Sequence, residues 1–153
     1  MKKLPEVEEA KALMTEGAGW SVMRWLKEKK RVRKAADKAN DTLWALQKAV
    51  QAAWPDDLKS AYAELDGNHP KSAKAPAGLK ALAKTVKQAD DEAYQAHLDA
   101  EETFDKADRR LSTSLAREGA RKAIRSWELY EAAIAKAENV PALTAKSAKE
   151  TKR

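Results

Sequence analysis

The stretch SVMRWLKEKKRVRKAADKANDTLWALQKAVQAAW, residues 21–54, determines what kind of fold this chain can form. Its apolar residues recur every three or four positions, which is the spacing of one face of an α-helix. This face consists of Val22, Trp25, Val32, Ala36, Ala39, Leu43, Leu46, Val50 and Ala53. Lys29 interrupts it, and Pro55 ends the helix because proline lacks a backbone N–H and clashes with the preceding turn. The pattern predicts a long amphipathic helix that packs through a narrow apolar seam.

A second long helix is predicted over residues 79–116 by the same spacing. Its seam consists of Leu79, Leu82, Val86, Ala89, Ala93, Ala96, Ala100, Phe104, Ala107, Leu111 and Leu115. The spacing slips by one residue before Phe104, and such an offset locally unwinds a coiled coil. Residues 66–78 are rich in Gly, Pro, Ser and Lys, which indicates a loop between the two helices. We therefore expect an antiparallel hairpin that places Arg33 near Asp99.

Three further helices are predicted, over residues 5–16, 55–66 and 120–139. The connection between 115 and 123 contains a single glycine, Gly119, and no proline. Two interpretations follow. In the preferred one, the chain turns near residues 117–120 and the last helix packs back on the hairpin. In the other, one helix runs unbroken over residues 77–139 and the extended hairpin assembles as a dimer.

The composition of the 153-residue chain agrees with one all-α domain of long alanine-rich helices. The hydrophobic fraction of 43% is carried largely by alanine, which forms helices readily but buries little area. We therefore predict an antiparallel helical hairpin or bundle over residues 1–140. Residues 141–153 contain little to bury and are predicted to form a flexible basic tail.

Composition also limits the chemistry that the chain can perform. It contains no cysteine, which excludes disulfides, thiolate metal sites and a cysteine nucleophile. His69 and His97 are its two histidines, and neither has the neighbouring ligands that a metal site needs. No nucleophile turn or glycine-rich phosphate loop is present. We expect no catalytic site, no metal and no cofactor, and therefore no enzymatic activity.

Segregated charge is the main functional signal in the sequence. On the heptad of residues 21–54, a basic stripe lies opposite the seam and consists of Arg24, Lys27, Arg31, Lys34 and Lys38. A second basic cluster comprises Arg109, Arg110, Arg117, Arg121, Lys122 and Arg125. Residues 88–108 carry eight acids and one base, so part of the basic charge has a possible partner within the chain. The basic stripe is interpreted either as a solvated helix face or as a contact surface for an acidic partner.

Trp44 lies away from the seam, so we expect a second surface to cover it. That surface is either the helix over 120–139, through Trp127 or Ile134, or another subunit. With the net charge of +6, these features predict a helical interaction protein, an adaptor or scaffold that self-associates. The alternative is an electrostatic binder of nucleic acid or an acidic membrane surface. No signal peptide or transmembrane stretch is visible, so a cytoplasmic location is expected.

Overall fold

The computed structural model describes residues 3–65 and 77–151, with side chains described over 3–65 and 78–140. The described chain forms five helices: α1 Pro5–Gly17, α2 Val22–Ala52, α3 Asp56–Leu65, α4 Ala77–Arg110 and α5 Thr113–Thr151. These ranges contain no strand, so the predicted all-α class is confirmed. Most of the loop predicted over residues 66–78, including His69, lies outside the described residues. Its last two residues, Ala77 and Gly78, already belong to α4.

Local chemistry explains where the first two helices begin. Pro5 occupies the first helical position of α1, and Glu6 and Glu8 lie in its first turn, where the helix dipole favours acids. Ser21 caps α2, because its hydroxyl accepts a hydrogen bond from the backbone N–H of Arg24 at 3.3 Å.

The turn between α4 and α5 lies at Leu111 and Ser112, and not at residues 117–120 as predicted. Leu111 adopts a φ of 49°, the left-handed conformation that commonly follows a helix C-terminus. The hydroxyl of Ser112 then accepts a hydrogen bond from the backbone N–H of Leu115 at 3.2 Å and caps α5. The alternative of one unbroken helix over 77–139 is wrong, because the helix is interrupted at Leu111 and Ser112.

Gly119 lies inside α5, where it permits close packing. A Cβ at this position would stand 3.0 Å from Cδ1 of Phe104, so only glycine fits without moving the ring. The helix predicted over 120–139 is present but longer, because α5 continues through Pro141. Val140 extends the buried face of α5 beyond residue 139. Whether residues 141–153 form a flexible tail stays a prediction, since their side chains lie outside the described set.

The closest pair of helices is α4 and α5, which run antiparallel and make the most extensive backbone contact of the described helices. Lys122 of α5 forms a salt bridge with Asp99 of α4 at 3.2 Å. Together with the contact between Phe104 and Gly119, this pair sets the register, in which Ala100 lies opposite Ala123.

Helix α2 runs antiparallel to α4, as predicted, but in a different register. The guanidinium of Arg33 bonds to Asp105 at 3.0 Å, and Gln47 bonds to Asp90 at 2.5 Å. The predicted contact of Arg33 with the Asp99 region is wrong by six residues, or about 9 Å along the helix. Asp99 contacts α5 instead, because the α4–α5 pair is the hairpin that the chain forms.

Helix α2 lies parallel to α5 and shares buried hydrogen bonds with it. The indole nitrogen of Trp127 donates to the side-chain oxygen of Asn40 at 2.7 Å, and that of Trp54 donates to the carbonyl of Ala137 at 2.9 Å. Helix α1 packs on α2 and α5 through its predicted apolar face, which consists of Val7, Ala10, Leu13 and Met14. Helix α3 packs on α4.

Candidate functional site

An apolar groove opens at the end of the bundle where α2 begins and α4 turns into α5. We call it the end groove and define it by a buried floor and an exposed mouth. The floor consists of Trp25, Val32 and Phe104, and the mouth of Val22, Leu26 and Leu111. The mouth is apolar yet faces solvent, which is the arrangement of an interaction surface rather than of a finished core.

The mouth exists because the helices end before they can cover it. Val22 and Leu111 both belong to the predicted seams, yet they are 39% and 58% exposed. Val22 begins α2 and Leu111 follows the last residue of α4, so neither has a helix beyond it to pack against. Leu26 and Met23 lie off the predicted seam and are 45% and 75% exposed.

Sequence reasoning missed this site. Its one available signal is the pair Met23 and Leu26, two large apolar residues that fall outside the seam in a strongly basic stretch. Val22 and Leu111 carry no such signal, because on a heptad they are indistinguishable from core positions.

The groove is open to solvent, and one of the rings that line it carries an unpaired hydrogen-bond donor. Its empty volume is about 460 Å³, part of which is open solvent. The indole nitrogen of Trp25 is buried and has no hydrogen-bond partner in the described part of the chain. Buried polar groups are rarely left unpaired. The shape suits side chains that enter from another surface better than a fully enclosed small molecule.

Charged side chains of both signs lie at the end groove. Arg33 bonds to both Asp105 and Asp108 at 3.0 Å, and Lys29 lies 3.5 Å from Asp108, so these two bases are neutralised within the chain. Other bases next to the lining residues are exposed and form no ion pair with any described residue. They are Lys30, which adjoins Lys29 and Arg33, and Arg109 and Arg110, which precede Leu111.

The predicted basic stripe is exposed along its whole length, but its members differ. Arg24 bonds to Glu16 at 2.8 Å, and Arg31 bonds to Glu28 at 3.4 Å. The remaining members pair with no acid among the described residues, and they are Lys27, Lys34 and Lys38. The stripe therefore keeps three lysines that are available to an anionic surface.

The predicted second cluster is divided by contacts within the chain. Arg117 donates to the backbone carbonyl of Trp20 at 3.2 Å, and Lys122 is held by Asp99 and Glu118 at 3.2 Å. The others are exposed and make no ion pair within the described ranges. They are Arg109, Arg110, Arg121 and Arg125.

Trp44 has partners on two helices. Its ring lies 5.1 Å from the ring of His97 and 6.5 Å from that of Tyr130, both in edge-to-face geometry. The prediction that the last helix covers it is confirmed, although through Tyr130 and not through Trp127 or Ile134. His97 belongs to α4 but lies off the predicted seam, so this contact agrees with the expectation that Trp44 packs away from the seam.

A buried polar cluster lies beside Trp44. Asp90 is buried and accepts hydrogen bonds from Gln47 at 2.5 Å, from Gln51 at 3.1 Å and from the hydroxyl of Tyr62. Burial raises the pKa of Asp90 above its ordinary value of 3.8, and the hydrogen bonds only partly offset this. Burial likewise raises the pKa of Tyr130, whose ring contacts Trp44.

These polar groups bond mainly to one another. His97 is buried and lies 3.2 Å from Glu101, and Asp90 has three donors, so the arrangement resembles a packed polar layer between helices. Within the described residues, no group of three or more His, Asp or Glu side chains is placed to hold a metal ion. None of the helices, over its described length, has an apolar stretch long enough to cross a membrane.

Comparisons with protein-family models, with curated proteins and with solved structures give no significant match to this chain.

Proposed function

We propose that this chain is a non-enzymatic helical interaction protein, a small adaptor or scaffold, which binds a segment of a protein partner in the end groove. The observation that supports this is the exposed mouth of Val22, Leu26 and Leu111 over a floor of buried aromatic rings. Clustered exposed apolar side chains with a polar rim are typical of protein interaction sites. A cytoplasmic location is part of the proposal, because a chain without cysteine suits a reducing compartment.

The surroundings of the groove define the chemistry of the partner segment. The unpaired bases favour an acidic segment, since like charges at a rim repel and opposite charges attract. The open apolar mouth favours two or three apolar side chains on one face of a helix. The partner segment is therefore an amphipathic helix with apolar anchors and flanking acids.

Two synthetic peptides test this proposal. One is a helical peptide with leucines at three-four spacing flanked by glutamates, and the other has lysines in place of the glutamates. Calorimetric titration should show that the protein binds the acidic peptide and does not bind the basic one. The variant Leu26→Glu should lose this binding, because it places an acid in the mouth of the groove. Leu65→Glu is the matched control, since Leu65 is 45% exposed like Leu26 but lies on α3.

Two results would overturn the proposal. One is the absence of binding by the acidic peptide, and the other is binding that Leu26→Glu leaves unchanged. Equal binding of both peptides would show that the cations around the groove do not select the partner.

A second candidate function is electrostatic binding of nucleic acid or an acidic membrane surface. It is favoured by the three unpaired lysines of the basic stripe, Lys27, Lys34 and Lys38. Such binding weakens steeply as salt rises, because it depends on the release of counterions from the polyanion. Light scattering with RNA or with anionic vesicles, at low and high salt, tests it. Reversal of the three lysine charges should abolish binding if this function is correct.

A further inference from the structure

A second exposed apolar surface lies on the outer side of α4. Tyr94 and Leu98 stand one helical turn apart and are 48% and 39% exposed. The exposed acids on the same side of the helix are Asp91, Glu101 and Glu102. We call these five residues the α4 face. It combines two apolar anchors with flanking acids on one side of a helix.

The α4 face has the chemistry that the end groove selects. We infer that the protein partner is a second copy of this chain, whose α4 face docks in the end groove of the first. This inference rests on the proposed function and names the partner. Its basis is the complementarity of the two surfaces, one apolar and acidic, the other apolar and basic.

The acids of the α4 face are not firmly held within the chain. Glu102 pairs with Lys106 at 3.3 Å and Asp91 with Lys87 at 2.6 Å, both four residues apart on the exposed side of the helix. Exposed pairs at this spacing contribute little to stability, because solvent and salt screen them. Glu101 is exposed and lies 3.2 Å from Nε2 of His97 on the same helix. Asp91 and Glu102 can therefore turn to the bases of another copy at little cost.

A chain cannot make this contact with itself. Leu98 and Leu111 are thirteen residues apart, which is about 20 Å along the axis of α4. Each contact therefore joins different surfaces of two copies. A two-fold arrangement closes it into a dimer with two equal contacts, whereas a one-way arrangement extends it into a chain. A single contact is small against the roughly 1,200–2,000 Å² of a stable interface, so each contact is weak.

Complementation between two variants tests the inference. Leu26→Glu damages the groove and keeps the α4 face, whereas Leu98→Glu damages the α4 face and keeps the groove. Analytical ultracentrifugation should show concentration-dependent association of the wild type and monomers for each variant alone. An equimolar mixture should form a one-to-one complex, because one intact face and one intact groove remain. Leu65→Glu should associate like the wild type.

Circular dichroism should show that all three variants keep wild-type helicity, since each replaces an exposed residue. The inference is wrong if the wild type stays monomeric, if Leu98→Glu associates normally, or if the mixture associates no more than each variant alone at the highest concentration. These outcomes separate the inference from the proposed function. Binding of the acidic peptide by a monomeric wild type would keep the end groove as an interaction site and remove the second copy as its occupant.

Discussion

The two faces of α4 are packed by opposite means. Toward α5 the helix presents small residues, and the register places Ala100 opposite Ala123 and Ala107 opposite Ala116. The small residues let the two backbones approach closely over much of their length. The consequence is a tight contact whose stability depends on the absence of side-chain volume.

Toward α2 the same helix presents long side chains. Trp44 meets His97, Gln47 reaches Asp90, and Arg33 reaches Asp105, while the backbones of α2 and α4 stay farther apart. Rings and hydrogen-bonded side chains fill the space between the helices. Alanine content alone therefore does not identify the partner of a helix, since α2 also has alanines on its seam.

Phe104 connects the two regions, so its truncation should have the largest effect. Its ring lies 6.5 Å from that of Trp25 on α2 and fills the space over Gly119 on α5. We expect Phe104→Ala to lower the free energy of unfolding by about 3–5 kcal/mol, the usual cost of removing a buried phenylalanine. Urea unfolding followed by circular dichroism measures it. The control Tyr94→Ala removes an exposed ring and should change little, and a similar loss in both variants would contradict this packing.

Added volume should damage the α4–α5 contact specifically. Ala100→Leu inserts three carbon atoms where two helices meet closely, and overpacking of this kind costs about 1–3 kcal/mol. Ala45→Leu makes the same change on the exposed side of α2 and should stay within about 0.5 kcal/mol of the wild type. Thermal or urea unfolding of both variants compares them. Equal tolerance at the two positions would show that α4 and α5 are not closely packed.

The sequence predicts where the helices lie better than it predicts which helices pack against each other. Helical spacing and the residues Pro5 and Ser21 locate elements, because capping and periodicity act within a few residues. The turn at Leu111 could not be predicted, since leucine at a φ of 49° has no sequence signature. Gly119 is a misleading signal for a turn, because a glycine that admits a neighbouring ring looks the same in sequence as one that ends a helix.

The same limitation applies to the candidate site. The basic stripe could be recognised because heptad position separates its members from the seam. The end groove could not, because Val22 and Leu111 are exposed only through the place where their helices stop. Exposure at the end of a bundle depends on the relative lengths and register of several helices, and no single stretch of sequence encodes it.

Gly119→Ala measures how closely the ring of Phe104 approaches α5. Alanine favours the helical backbone over glycine by about 1 kcal/mol. Against this, the new Cβ would stand 3.0–3.2 Å from three atoms of the ring, which must move. In the wild type we expect a net loss of up to about 1 kcal/mol, since overpacking costs slightly more than helix propensity returns. In the Phe104→Ala background the same substitution should stabilise by about 1 kcal/mol, and an equal effect in both backgrounds would contradict the contact.

The smallest expected effect concerns the polar side of α4, where Asp90 is buried among donors from α2 and α3. Burial raises the pKa of Asp90, and the neighbouring Asp91 raises it further, while the hydrogen bonds from Tyr62, Gln51 and Gln47 lower it. The other ionisable groups that line this cleft are Lys48, Lys87, Tyr94 and Tyr130. Because the pKa is raised in the fold, the folded state binds this proton more tightly than the unfolded chain does.

Linkage then fixes the sign of the pH dependence. The contribution of Asp90 to stability is largest below the ordinary pKa of 3.8, which the unfolded chain retains, and declines as pH rises through the higher folded value. Asp90→Asn removes this titration but keeps the size of the side chain. The stability of the wild type relative to Asp90→Asn should therefore increase as pH falls from neutral toward 4, and urea unfolding of both proteins across this range measures it. A relative stability that instead grows with rising pH would mean that the three hydrogen bonds outweigh burial, and that this polar layer holds Asp90 as a carboxylate.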